Sequence, residues 1–152
     1  ARRVECDGMH TSPITRMAGF FQSLSPASLT QLPQLYCADV SFTDPINHGK
    51  GLVFLEAAFR DSFKHLQQLR IAVNSSHGDE SSGFLHWTMW YRFRGAERSL
   101  QGVSHFRFDA DGKVQAQEDF WDASYALYGE FPVLGWVMKG IRRMVQVKVP
   151  HR

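Results

Sequence analysis

Apolar positions recur at helical spacing in the first part of the chain and then switch to alternation. Thr11-Ser12-Pro13 supplies a helix start, with a hydroxyl to cap free amides and a proline where its missing N–H costs nothing. Ile14, Met17, Ala18 and Phe21 repeat at helical spacing, widened by Phe20 and Leu24. Ser25-Pro26 repeats the start signal, Leu29 and Leu32 give a second short apolar face, and Pro33 bends or ends it. The pattern therefore places two helices before Asp44. Leu52, Leu55, Phe59 and Leu66 mark a third helix, with Glu56, Arg60, Asp61 and Lys64 mostly on its wet side.

From Gln68 the period changes to two, as in Leu69, Ile71 and Val73. Three more β-rich runs follow, over about 84–94, 98–109 and 113–122, separated by Arg94-Gly95-Ala96-Glu97 and Asp109-Ala110-Asp111-Gly112. Helices followed by a meander predict an α+β domain with an antiparallel sheet. Beyond Trp121, Pro132, Gly135 and Gly140 interrupt an apolar stretch, and Lys139, Arg142, Arg143, Lys148 and Arg152 make it basic. No repeat or linker divides the chain, so residues 1–152 are expected to form one domain, with a core over 13–122 and a basic extension over 123–152.

Composition narrows the class. In 152 residues, 43% hydrophobic and 13% aromatic, there is apolar material for one real core. The net charge is +2 with acids and bases interleaved, so no nucleic-acid footprint is present and no nucleic-acid partner is expected. Cys6 and Cys37 lack metal-ligand spacing and read as free thiols of a reducing compartment. No apolar run approaches the roughly 20 residues of a membrane span, and the N-terminus lacks a signal-peptide core. The expectation is a cytoplasmic protein with no transmembrane segment. The histidines at 10, 48, 65, 77, 105 and 151 form no ligand set with an acid, so neither metal nor other cofactor is expected.

Several weak motifs become specific by their order: Tyr36-Cys37-Ala38-Asp39-Val40, then Phe42-Thr43-Asp44-Pro45, a helix opened by Gly49-Lys50-Gly51, then Phe106-Arg107-Phe108-Asp109 and Phe120-Trp121. Over roughly residues 13–122 the chain resembles the NTF2-like superfamily, in its SnoaL-like and ketosteroid isomerase-like branch. The resemblance implies three N-terminal helices packed on a strongly curved sheet, a cone enclosing an apolar pocket, and dimerisation through the outer sheet face. It also implies that Asp44 stands at the isomerase's catalytic base. Phe20 and Ser104 match the tyrosine and protonated aspartic acid that hold the developing enolate oxygen in that enzyme. Phenylalanine cannot donate a hydrogen bond, and serine is a weaker donor than such an acid, so the isomerase's oxyanion site is not reproduced here.

Strand parity extends the candidate pocket, since alternate residues share a face. An inward Ser104 carries Leu100, Gly102, Phe106 and Phe108 with it, and an inward Trp121 carries Asp119 and Gln117. On the preceding strand the best inward set is Phe84, His86, Thr88 and Trp90, leaving Trp87, Met89, Tyr91, His105 and Phe120 for the dimer face. Asp44, Asp119 and His86 are then candidate catalytic groups, with Phe20, Trp90, Ser104, Gln117 and Trp121 against the substrate. Each has a plainer reading: an Asp-Pro turn for Asp44, an ion pair with Arg92, Arg94 or His86 for Asp119, and a satisfied interior histidine for His86.

Two carboxylates in an apolar cavity suit cofactor-independent proton transfer on a small, largely apolar molecule, polycyclic or isoprenoid in shape. Isomerase, cyclase and epoxide-hydrolase chemistry all fit. A non-catalytic module that binds a ligand or a protein through the same cavity or outer face is the alternative. The basic extension reads as a helical lid or exchanged arm, with an interfacial segment on an anionic membrane as a third reading.

Overall fold

The computed structural model describes residues 11–126 and 131–146. Cys6, His10, Gly129, Lys148, His151 and Arg152 lie outside them. The first helix, α1 (Pro13–Gln22), starts as its sequence requires: Ser12 Oγ accepts from Thr15 N at 3.4 Å, and Ile14, Met17, Phe20 and Phe21 are buried. The second predicted helix is shorter and tighter than its pattern suggests. It is a 3-10 turn (Ala27–Gln31) continuing into one turn of α-helix, α2 (Leu32–Leu35), whose first turn accepts Pro33.

A strand that the periodicity does not reveal follows, β1 (Tyr36–Thr43), with a short β2 (His48–Lys50) folded back on it. Tyr36, Val40 and Phe42 point into the core while Ala38 and Asp39 are exposed, an irregular pattern that accompanies a register shift between Tyr36 and Ser41. The third helix, α3 (Leu52–His65), runs from Gly51, which has φ +90°, to the start of β3 (Gln67–Gly78). The meander is completed by β4 (Ser82–Phe93), β5 (Ala96–Phe108) and β6 (Val114–Trp121). Arg94 and Gly95, both at positive φ, make the two-residue turn that joins β4 to β5 and set Phe93 opposite Ala96.

The six strands form one open sheet in the order β2-β1-β6-β5-β4-β3. Neighbours are antiparallel except β1 and β6, which run parallel, so the sheet is mixed rather than wholly antiparallel. A parallel pair is possible here because the rest of the chain lies between the two strands as a long crossover. The helices cover one face. Phe21 of α1 meets Phe106 edge to face with ring centres 5.7 Å apart, and Phe59 of α3 meets Phe20 at 6.2 Å. After Trp121 come a single helical turn, α4 (Ala123–Ala126), and a final helix, α5 (Pro132–Val145). Among the described residues no helix is long and apolar enough to cross a membrane.

Candidate active site

Between the helices and the concave sheet face lies a cavity of about 430 Å³, within the roughly 300–1,000 Å³ common for small-molecule pockets. Phe21 and Phe59 line it from the helices, and Phe42, Trp87, Met89, Tyr91 and Leu100 from the sheet. Exposed Asp61, Ser62 and His65, at the end of α3, line its edge together with Ile46 of the Asp-Pro turn. Asp44, Asn47 and Asp119 bring polar groups to the wall.

Asp119 is the most perturbed acid among them. It stands on β6 directly opposite Ser104 on β5, and directly opposed residues of an antiparallel pair share a face. The Gln117 amide nitrogen donates to both carboxylate oxygens, at 3.0 and 3.1 Å, and the Ser104 hydroxyl also bonds the carboxylate. Behind these donors stand two more. Tyr36 Oη donates to Gln117 Oε1 at 2.7 Å, and Trp87 Nε1 donates to Ser104 Oγ at 2.9 Å.

Two relays, Tyr36 to Gln117 and Trp87 to Ser104, therefore converge on one carboxylate. Every donor in them is buried, and the donor–acceptor sense is consistent throughout. Tyr36 keeps its proton: burial, and then the neighbouring Asp119 charge, hold its pKa well above the usual phenolic value.

Asp119 keeps some accessible surface because it lines the cavity, yet it lies deep in the protein mass. Burial pushes its pKa up from 3.8 to about 7, against the Ser104 and Gln117 bonds that pull it down, with a smaller push from the Asp44 charge. The packing that holds the Trp87 relay is tight. A Cβ at Gly102 would come within 2.3 Å of Trp87 Cζ2, so the indole lies flat where only glycine leaves room.

Asp44 lines the same cavity but is occupied by its own turn. Its Oδ1 accepts from the backbone amides of Ile46 at 2.7 Å and Asn47 at 2.6 Å, and its Oδ2 from the Asn47 side chain at 3.0 Å. Three of a carboxylate's roughly four acceptor sites are thus taken. The turn reading of Asp-Pro describes this geometry well.

The sequence-predicted residues divide clearly. Asp44, Asp119 and Trp121 line the cavity, while Ser104 and Gln117 lie buried just behind Asp119 and touch it rather than the cavity. Phe20 is buried in the core against Phe21, Tyr36 and Phe59 and does not line the cavity.

His86 and Trp90 are on the opposite face of the sheet, which corrects the inward placement read from parity. His86 pairs with Val103 and Trp90 with Ser99, both of the outward set of β5, and the Arg70 guanidinium lies 4.7 Å over the Trp90 ring. Phe84 and Thr88 face outward as well, Phe84 stacked on His105 and Thr88 bonded to Asn74. In exchange Trp87, Met89 and Tyr91, expected on the outer face, are cavity wall. The signal for this was the hairpin: a two-residue turn at Arg94-Gly95 puts Leu85 opposite Ser104 and Trp87 opposite Gly102, which fixes their shared face.

Among the described residues no group of three histidines, cysteines or acids is placed to hold a metal ion; His65 and Asp61 form only a pair, at 3.2 Å on the surface of α3. Cys37 is a free thiol bonded to Asp109, and burial, with that bond, pushes its pKa up to about 11.

A family model described as the SnoaL-like domain matches residues 17–117. Among solved structures, a protein with the ketosteroid isomerase-like fold from Catenulispora acidiphila, determined in complex with trimethylamine, aligns with TM-score 0.62 at 12% identity, covering 74% of this chain and 86% of its own. An NTF2-like protein of unknown function from Exiguobacterium sp. 255-15 aligns with TM-score 0.63 at 16% identity, covering 73% and 98%. Another of unknown function, from Burkholderia pseudomallei, gives 0.61 at 19%, covering 66% and 83%. At these identities the structural likeness speaks for the fold alone. No curated protein sequence matches the chain.

Proposed function

We propose, for a chain that belongs to the SnoaL-like domain family, a pocket enzyme that moves a proton on a small, largely apolar substrate without a cofactor, Asp119 being the proton-transfer group. One observation carries this reading. A carboxyl facing an apolar cavity is fixed by two buried donors and poised by burial near neutrality, where it can both accept and return a proton. On an enolisable carbonyl compound, the Asp119 carboxylate would take the α-proton, and the protonated acid would return it to the same or a neighbouring carbon. Ser104 and Gln117 keep the carboxylate aimed, and the aromatic walls hold the substrate and exclude water. Asp44 is, in this reading, a fixed charge across the cavity rather than the base, because its lone pairs serve its turn.

Assembly as a homodimer belongs to the same proposal. The outer sheet face carries Phe84, 47% exposed, and Phe120, 51% exposed, beside His105 and Trp90.

The test is hydrogen–deuterium exchange at the α-carbon of apolar cyclic ketones, followed by NMR in D2O. Wild-type protein should accelerate exchange with a rise through about pH 7, and Asp119→Asn should lose on the order of 10² to 10⁴ of that acceleration. Ketones that bind the cavity with no exchange above the solvent rate would favour the non-catalytic ligand-binding module instead.

A further inference from the structure

The helix α5 (Pro132–Val145) is amphipathic, yet its apolar side is the one left in solvent. At about 100° per residue, Val133, Leu134, Val137, Ile141, Met144 and Val145 fall on one arc, and Lys139, Arg142, Arg143 and Gln146 on the opposite one. In a surface helix of a globular domain the apolar arc should turn inward. Here, among the described residues, the hydrogen bonds to the rest of the domain come from the other side. Arg142 Nη2 donates to Asp122 Oδ2 at 2.8 Å and to Ser124 Oγ at 2.9 Å, and Gly135, on the same side, is the helix's buried residue. Val133 is 80% exposed, Met144 85% and Trp136, at the edge between the two arcs, 83%. None of the described residues of α5 lines the cavity, so this side does not close the pocket.

Charge selects what would cover it. From Phe131 to Arg152 the sequence contains five lysines and arginines and no acid, and Lys139 and Arg143 are exposed. The outer sheet face, where Phe84 and Phe120 are exposed, carries Arg70, Arg92 and Arg107 against Glu97 and Glu118, so that face of a second copy offers no net negative partner. A helix about 21 Å long, with an apolar arc, a basic opposite face and a tryptophan at the boundary, has the makeup of an interfacial helix.

We propose that α5 lies in the interface of an anionic phospholipid membrane, its apolar arc among the acyl chains and its basic residues at the headgroups. The Arg142–Asp122 pair aims that arc away from the domain and so orients the domain on the surface. This anchoring is independent of the chemistry at Asp119.

The test is flotation of the full chain with vesicles of phosphatidylcholine and phosphatidylglycerol at 3:1, against vesicles of phosphatidylcholine alone. The protein should float with the anionic vesicles, bind the neutral ones at least tenfold more weakly, and be released by salt. Val137→Glu with Ile141→Glu should abolish flotation. Lys139→Gln with Arg143→Gln, which leaves the apolar arc intact, should weaken it by roughly fivefold for each basic residue removed. An unchanged circular dichroism spectrum in both variants assigns the loss to the surface rather than to unfolding. The proposal is overturned by equal binding to neutral vesicles. It is also overturned if the wild type does not float with anionic vesicles, including the case where Val137→Glu with Ile141→Glu instead splits a dimer.

Discussion

Replacing Asp119 by asparagine removes a carboxyl whose folded environment opposes its charge, and the effect on stability has a definite pH signature. Moving a carboxyl from 3.8 to about 7 corresponds to about 4 kcal/mol of preference for the protonated form in the folded state. The sign follows from proton counting. Below pH 3.8 both folded and unfolded chains hold the proton and Asp119 costs nothing; as the pH rises the unfolded chain releases it first, and stability falls until the folded carboxyl ionises near pH 7. Above that the loss is complete and constant. Roughly 2 to 3 kcal/mol of the penalty develops between pH 5 and pH 8.

Urea unfolding of wild type and Asp119→Asn at half-unit steps from pH 5 to pH 8.5 reads this directly. The asparagine cannot satisfy Ser104 and Gln117 as the carboxylate does, which imposes a cost of its own, but that cost does not titrate. Every other ionisable group is common to both proteins and cancels in the difference. The variant should therefore gain on the wild type steadily up to about pH 7 and then run level with it. Two curves that stay parallel over the whole range would refute the burial argument, and with it the poise on which proton transfer rests.

Asp44→Asn should leave proton exchange within about tenfold of wild type, because the carboxylate serves the turn; a loss as large as that of Asp119→Asn, expected on the order of 10² or more, would return the role of base to Asp44. Tyr36→Phe strands the buried Gln117 carbonyl and should cost about 1–3 kcal/mol in urea unfolding, while the apparent pKa of Asp119 in the exchange profile moves as its donor loosens. Gly102→Ala drives a methyl into the Trp87 ring and should cost about 1–3 kcal/mol, with a change in near-ultraviolet circular dichroism; an unperturbed spectrum at full stability would mean that the indole is not held where the relay needs it.

In the proposed reading the proton-transfer group, Asp119, stands at neither of the carboxyl positions that the resemblance implies, Asp44 and Ser104. In that resemblance the protonated carboxyl belongs at Ser104, and a serine there looks like a site stripped of its chemistry. The neighbouring strand carries a carboxyl of its own: Asp119 is directly opposite Ser104, bonded to it, and raised by burial. Serine is then a supporting donor rather than a remnant. Phe20, at the matched tyrosine position, is core, and Tyr36 on β1 donates to Gln117, one step behind Asp119. Position-by-position transfer finds the loss at Ser104 and Phe20 but not the network around Asp119, because its residues are neighbours in space only.

Much of this was within reach of the sequence, and the boundary is physical. With Ser104 and Trp121 set inward by the resemblance, alternation on β5 and β6 carried Leu100, Gly102, Phe106, Phe108, Gln117 and Asp119 to the same face, where the structure has them. β4 defeats the same logic. Both of its faces carry large aromatic or apolar residues, with Phe84, His86 and Trp90 outside and Trp87, Met89 and Tyr91 inside, so hydrophobicity alone carries no sign.

What breaks the tie is the turn. Arg94 and Gly95 in the left-handed region close a two-residue hairpin, and every residue of β4 is then set against a definite residue of β5. Given that Ser104 faces inward, Leu85 must, and Trp87, Met89 and Tyr91 follow by twos. The strand β1 had no such guide, since its register shift between Tyr36 and Ser41 breaks the alternation that would have announced it. Tyr36, the outermost donor of the relay, sits on the near side of that shift, paired with Val114 rather than in step with Phe42 and Gln117. Its reach to Gln117 is therefore a consequence of the irregularity that hid the strand.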